Sequence, residues 1–195
     1  MAPQLSIGFR LLLFALAVAG GCSRPLQSRR VARYAKCSPG YISDSAVAGL
    51  PIGASVASVK EHCRVLEDTT FPGLEGLPER TLLVEIGSDT LVAVIDSDRV
   101  WRIEIQSSRF RTQDSLRVGS RLSRLLRDSS ARALIGEGNY YVVMGSHCGL
   151  SFALPHIQLP RPMGDLDAAT LRALSDTLPI QEILVVGCDS SWGAT

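Results

Sequence analysis

The sequence predicts an α+β fold: two helix-plus-antiparallel-meander repeats forming one sheet with helices on one face, plus a C-terminal helix and strand. Three observations carry this expectation. A motif of apolar residue, glycine, small polar residue and spaced apolar residues occurs twice, as GLPIGASVASVK (49–60) and SLRVGSRLSRLL (115–126), with Gly53 and Gly119 66 residues apart. Each copy is followed by short apolar-rich runs with turn-like breaks. A Pro-rich crossing, LPRPMGD (159–165), then leads to one more helical and one more strand-like segment.

In each motif the glycine ends an extended stretch, Ser55 or Ser120 is placed to cap, and apolar residues at three-residue spacing make a short amphipathic helix. These helices are expected near 55–63 and 120–128. After the first come TLLVEI (81–86), TLVAVID (90–96) and RVWRIEI (99–105). Alternation sets Leu82, Val84 and Ile86 on one face, with Trp101, Ile103 and Ile105 likewise on one face. Arg102, Glu104 and Gln106 then fall on a wet opposite face. After the second helix come ARALIG (131–136), NYYVVMG (139–145) and GLSFAL (149–154). DLDAATLRALSD (165–176) reads as a third helix capped by Asp165 or Asp167, and QEILVVGC (181–188) as the last strand. The first repeat is expected over 43–108, and the second, with its C-terminal helix and strand, over 109–195. The polar connector RFRTQDSLRVGS (109–120) holds a buried-looking Phe110, and Thr112 and Asp114 are placed to close a turn.

The N-terminus reads as a targeting signal. Arg10 precedes the uncharged apolar run Leu11–Ala19, followed by Gly20, Gly21 and Cys22. The run is too short to span a bilayer, which takes about 20 residues, but it suits the apolar region of a secretory signal. The order of charge, apolar run, small residues and cysteine resembles the lipobox of bacterial lipoproteins. That resemblance implies loss of residues 1–21, lipidation of Cys22 and attachment to a membrane of the cell envelope. The next stretch, 22–42, carries Arg24, Arg29, Arg30, Arg33 and Lys36 with no acid. It is either a solvated linker or a segment lying on anionic head groups.

The chain has 20 Lys and Arg against 19 Asp and Glu, and Arg10 is the one charge in 1–21. The mature chain is therefore near neutral, which excludes the basic signature of a nucleic-acid binder. Besides Cys22 there are Cys37, Cys63, Cys148 and Cys188. An even number in an exported chain reads as a disulfide framework with three possible connectivities. The element order favours Cys37–Cys63, pinning the linker to the first helix, and Cys148–Cys188, joining two strands. His62-Cys63 and His147-Cys148 offer zinc-type ligands, but neighbours on a strand point to opposite faces and neighbours on a helix diverge. No metal and no cofactor is expected.

No phosphate-cradling glycine loop, H-E-x-x-H or G-x-S-x-G occurs, and Ser55, Ser58 and Lys60 do not make S-x-x-K. His156, in ALPHIQLP, reads as a surface residue. No catalytic residues are expected.

G-A-S-V-A-S-V (53–59) resembles the helix start of small outer-membrane lipoproteins of the SmpA/OmlA type, with Gly53, Ser55 and Val59 at the matching positions and a weaker echo at Gly119 and Leu125. Ala54 stands where that family usually has Met. The doubled element is also similar to the β-lactamase-inhibitor-protein fold. The resemblance implies a sheet with helices on one face. The expected function is a non-catalytic, membrane-anchored envelope lipoprotein that binds another protein in a scaffold or assembly role, facing the periplasm or exterior. The alternative is a proteinaceous inhibitor of an extracytoplasmic enzyme. The inhibitor needs a concave face with an aromatic anchor and a desolvated centre, whereas a scaffold can use an edge strand.

Overall fold

A computed structural model describes residues 37–38, 40–72, 77–136, 139–156, 164–174 and 177–188. The signal, Cys22 and the basic residues of the linker lie outside them. The chain forms a mixed α/β structure of mostly antiparallel strands in two sheets with few helices.

The small sheet has order β1-β2-β3, from Ile42–Ser43 (β1), Ala46–Val47 (β2) and Leu50–Pro51 (β3). Strands this short carry no readable alternation, and none was expected from sequence. They nevertheless bury Ile42, Val47 and Leu50. The chain then enters α1 (Val56–His62), where Ser55 caps as expected: its side chain accepts from Ser58 N at 3.2 Å. Val56 and Val59 are the buried face, and the Cys63 N–H closes the helix on the Val59 carbonyl.

The large sheet follows. Arg64–Pro72 (β4), Pro78–Ile86 (β5), Asp89–Asp96 (β6) and Arg99–Ile105 (β7) run as a meander. The first meander thus has four strands, one more than the alternation suggested. β4, RVLEDTTFP, was missed because its residues through Thr70 are half-buried or exposed, so neither side of it reads as apolar. A second difference lies in β7. Register shifts between Val94 and Ile95 of its neighbour, so that Ile95 faces Val100. Val100 is therefore the core residue, at 1% exposure, and Trp101 is displaced to a half-buried position.

The second run opens with α2, Leu122–Leu125, much shorter than the stretch to 128 that the spacing suggested. The reason is local. Arg121 occupies the cap position without a side-chain hydrogen bond, and Ser120 does not cap but accepts from Arg117 N at 3.1 Å. With no side-chain cap, this turn persists on the buried Leu122 and Leu125 and on the Leu122 amide, which is taken up by the Leu178 carbonyl at 2.7 Å. Arg132–Gly136 (β8), Asn139–Met144 (β9) and His147–Ala153 (β10) follow. The third helix, α3 (Ala168–Ala173), is capped by Asp167, which accepts from Thr170 N at 2.8 Å. Glu182–Val185 (β11) ends the sheet.

The strand order is β4-β5-β6-β7-β11-β10-β9-β8. β11 is inserted between the two runs, pairing Ile103 with Val185 and Ile105 with Ile183 on one side, and Leu150 with Val185 and Phe152 with Ile183 on the other. One apolar cluster contains these isoleucines and valines together with Val56, Val59, Leu122, Leu125 and Leu171 from the helices.

The segments before α1 and α2 make matching backbone bonds. Gly53 N donates to Val100 O at 2.7 Å and Val100 N to Ala54 O at 2.8 Å, while Val56 N reaches Asp98 O at 3.1 Å. Gly119 N donates to Ile180 O at 2.8 Å, Ile180 N to Ser120 O at 2.8 Å, and Leu122 N to Leu178 O at 2.7 Å. Both glycines are left-handed, φ 81° and 86°, and a Cβ on either would meet nothing within 4 Å. An L-residue there costs about 1–2 kcal/mol from backbone conformation alone. Gly53→Ala and Gly119→Ala should therefore lose similar stability, about 1–2 kcal/mol each, in urea unfolding. A large inequality between them would show that the two turns are not equivalent.

Candidate functional site

Three surfaces concentrate chemistry or unsatisfied binding capacity. The first is the pair of sheet edges. β8 is closed on its outer side: Ala133 and Leu166 exchange both backbone hydrogen bonds, at 2.9 and 2.8 Å, and Ile135 N donates to Asp165 Oδ1 at 3.2 Å. β4 is the other edge, and no described segment pairs with its outer side. Its Leu66 is 46% exposed and sits where register shifts between Val65 and Glu67. An edge of this kind is a template for another strand. Charge guards it in part. Asp68 accepts from Arg80 Nε and Nη2 at 2.8 Å each, and from Lys60 Nζ at 2.7 Å. Arg80 and Lys60 together hold the Asp68 carboxyl well below the usual carboxylate range.

The second surface is the sheet face that bears Tyr141, Ala153 and Leu184, a small buried cluster to which no described helix contributes. Register places Leu184 beside Glu104, Glu104 beside Val92, and Val92 beside Leu83. The face is not wet at its centre, contrary to the alternation. Arg102 is 7% exposed and bonds Glu104 at 2.7 Å and Glu79 at 3.4 Å, its guanidinium 4.7 Å from the Trp101 ring centre. Burial pushes the Glu104 carboxyl up; Arg102 opposes the shift, and Glu182 and Glu79 add to it. Gln106 Nε2 donates to Glu182 at 3.1 Å. This is an ion pair in a mostly apolar setting, and its aromatic neighbours, Tyr141 and Trp101, are not exposed anchors.

The third is the end of the sheet around His147. Its imidazole lies between two carboxylates, with Nδ1 3.5 Å from Asp44 Oδ1 and Nε2 3.3 Å from Asp114 Oδ2. Asp114 also accepts the Thr112 hydroxyl. Burial would raise the Asp114 carboxyl, but the Thr112 and His147 bonds outweigh it and hold it low. Close by, Asp128 accepts from both the amide and the hydroxyl of Ser130 and of Ser146, which keeps its carboxyl well below the normal range. That cluster ties the β9–β10 turn to the segment after α2.

The sequence-selected residues fall as follows. Cys37 is bonded to Cys63 and Cys148 to Cys188, each with Cα atoms 5.1 Å apart. The first bond lies at the start of β4; the second ties β10 to the chain just beyond β11. Cys22 is outside the described residues. His62 Nδ1 lies 2.9 Å from the Ser58 carbonyl, and His156 is exposed. Phe110 is buried, and Arg111 in the same connector forms a parallel bridge with Tyr41. A groove of 530 Å³ beside the β5–β6 turn has its polar groups occupied internally, Ser107 Oγ donating to Asp89 at 2.6 Å and Arg109 to Ser88 Oγ at 2.7 Å. Sequence reasoning missed Asp44 and Asp114 as partners of His147, because positions 44, 114 and 147 share no spacing pattern.

No protein family model and no curated protein matches the chain. Among solved structures, it is similar to the uncharacterized protein YfeY from Escherichia coli, with a TM-score of 0.55 and 12% sequence identity, over 75% of this chain and 99% of that one. At that identity the likeness concerns the fold alone.

Replacing Arg102 by Met removes the cation bonded to Glu104 among the described residues and leaves Glu104, Glu79 and Glu182 facing one another. The folded-state value of Glu104 then rises further above its unfolded value. Such a group contributes its stability fully below the unfolded value and loses it as pH rises through the folded one. Arg102→Met should thus cost about 1–3 kcal/mol at neutral pH, and the deficit should shrink in mild acid. Denaturant titrations at the two pH values check this; a pH-independent deficit would assign the loss to packing.

Proposed function

We propose that this chain is a non-catalytic lipoprotein of the bacterial cell envelope, anchored through Cys22, that binds another protein by strand addition at β4. The fold and the resemblance to SmpA/OmlA-type lipoproteins agree with such a role. The bonded cysteines favour an oxidising compartment. No helix among the described residues is long and apolar enough to cross a membrane; in this reading the signal and lipobox supply the attachment.

The observation that carries the docking reading is the inequality of the two edges. β8 is covered on its outer side by Leu166 and Asp165, whereas the outer side of β4 has no described partner and β4 presents Leu66. Main-chain bonds along such an edge supply affinity, and alternate side chains supply specificity. The inhibitor alternative draws on the other face, whose centre is desolvated at Arg102. Tyr141, at 8% exposure, offers no projecting anchor there, so the edge is the better supported site.

Two measurements test the proposal. Cys22→Ser should release the protein into the soluble fraction or leave an uncleaved precursor; a processed, membrane-bound Cys22→Ser protein would refute the anchor. Photo-crosslinkers placed at Leu66 on the edge and at Leu83 on the open face should, in native membranes, give a discrete protein adduct from Leu66. An adduct from Leu83 alone would transfer the site to the face and favour the inhibitor.

A further inference from the structure

The cluster at the end of the sheet contains the side chains of a soft-metal site. Asp44, Cys148 and Cys188 each offer a ligand atom, and these atoms lie within 4.8 Å of one another. Asp44 Oδ2 is 3.8 Å from Cys148 Sγ. Asp44 Oδ1 is buried, accepts no hydrogen bond, and lies 3.5 Å from His147 Nδ1. In a tetrahedral zinc site, metal–sulfur bonds of about 2.3 Å and metal–nitrogen or –oxygen bonds of about 2.0–2.1 Å separate the ligand atoms by about 3.3–3.8 Å. One oxygen of the carboxylate, Oδ2, already stands at such a distance from a sulfur, and the other, Oδ1, from an imidazole nitrogen.

We propose that, once the Cys148–Cys188 bond is reduced, this site binds a thiophilic divalent cation, Zn²⁺ or Co²⁺, through both thiolates and Asp44, with His147, beside Asp44, swinging in as the fourth ligand. The inference is independent of the docking reading. A dithiol reductant supplies two electrons and two protons and ends as a disulfide; Cys148 and Cys188 become thiols, and each releases its proton as it ligates. Both cysteines are exposed and open to such a reagent.

Two features make the site more than a coincidence of neighbours. Adjacent strand residues ordinarily diverge, but β10 loses register with β9 between His147 and Phe152, and in this irregular stretch His147 and Cys148 both reach Asp44. The scaffold is also held without the disulfide. A Cβ on Gly149 would stand 1.8 Å from the Asp44 carbonyl oxygen and 2.9 Å from the Gly187 carbonyl carbon, so three backbone segments are in contact there. Val186 N further donates to Gly149 O at 2.9 Å. The far nitrogen of His147 meets Asp114 at 3.3 Å. A second carboxylate in that position is what orients a metal-bound imidazole and raises its basicity. Two thiolates, an imidazole and one carboxylate select soft or borderline cations over Mg²⁺ and Ca²⁺.

The test uses the full mature chain, reduced with a phosphine and titrated with Co²⁺, whose thiolate charge-transfer band reports sulfur ligation, and then with Zn²⁺ in competition. One cation per chain is expected for the reduced protein and none for the oxidised one. The same should hold for a Cys22→Ser/Cys37→Ser/Cys63→Ser variant, whose remaining thiols are those of the site. Asp44→Asn should weaken binding at least tenfold, and Asp114→Asn about tenfold through the orientation of His147. Zinc should protect Cys148 and Cys188 from alkylation. The proposal is overturned if the reduced protein binds no cation. It is equally overturned if it binds no more tightly than Cys148→Ser/Cys188→Ser, which retains the other pair, or if Asp44→Asn leaves affinity unchanged.

Discussion

The pairing of β11 with β7 is the constraint on which the rest of the molecule depends. Without it the large sheet would be two separate meanders, β4 to β7 and β8 to β10, each too small to cover its own apolar face. With it, Ile103, Ile105, Ile183 and Val185 close into one buried row, all at 0% exposure. Burial of each such side chain stabilises by about 1.5–3 kcal/mol. The same C-terminal segment also receives the turn before α2 at Leu178 and Ile180, pairs with β10, and is bonded to it through Cys188. A stretch of about ten residues therefore joins every part of the second run to the first.

That arrangement explains the contrast between the two edges and the two ends of the sheet. Because β11 is spent in the middle, the outermost strands are β4 and β8. Among the described residues, only β8 has a later segment covering it. Near Cys188, close backbone approach at Gly149 and Gly187 brings the β1–β2 turn against the end of β10, which assembles Asp44, His147 and the cysteines. The proposed docking edge and the proposed cation site are thus consequences of one topological choice, at different places on the sheet.

Much of this was legible in the residues, for identifiable reasons. TLLVEI, TLVAVID and QEILVVGC are strands because their apolar density leaves little alternative, and Ser55 and Asp167 cap because their side chains can meet amides three residues on. β4 was hidden because an edge strand with polar sides lacks alternation. The burial of Val100 in place of Trp101 depends on a register shift that no local pattern encodes. Ser120 was misread because the cap type was right but the backbone used its hydroxyl for Arg117. The Asp44–His147–Asp114 contacts join positions far apart in sequence, and only the folded sheet brings them together.

Native-state hydrogen exchange tests the role of β11 most directly. If β11 locks the two runs together, the bonded amides of Ile183–Val185 and Ile103–Ile105 should exchange only through global unfolding, with equal free energies and equal denaturant dependence. Exchange of the β11 amides through a small local opening, while β7 stays fully protected, would contradict the account and make β11 a strand added to an already stable sheet.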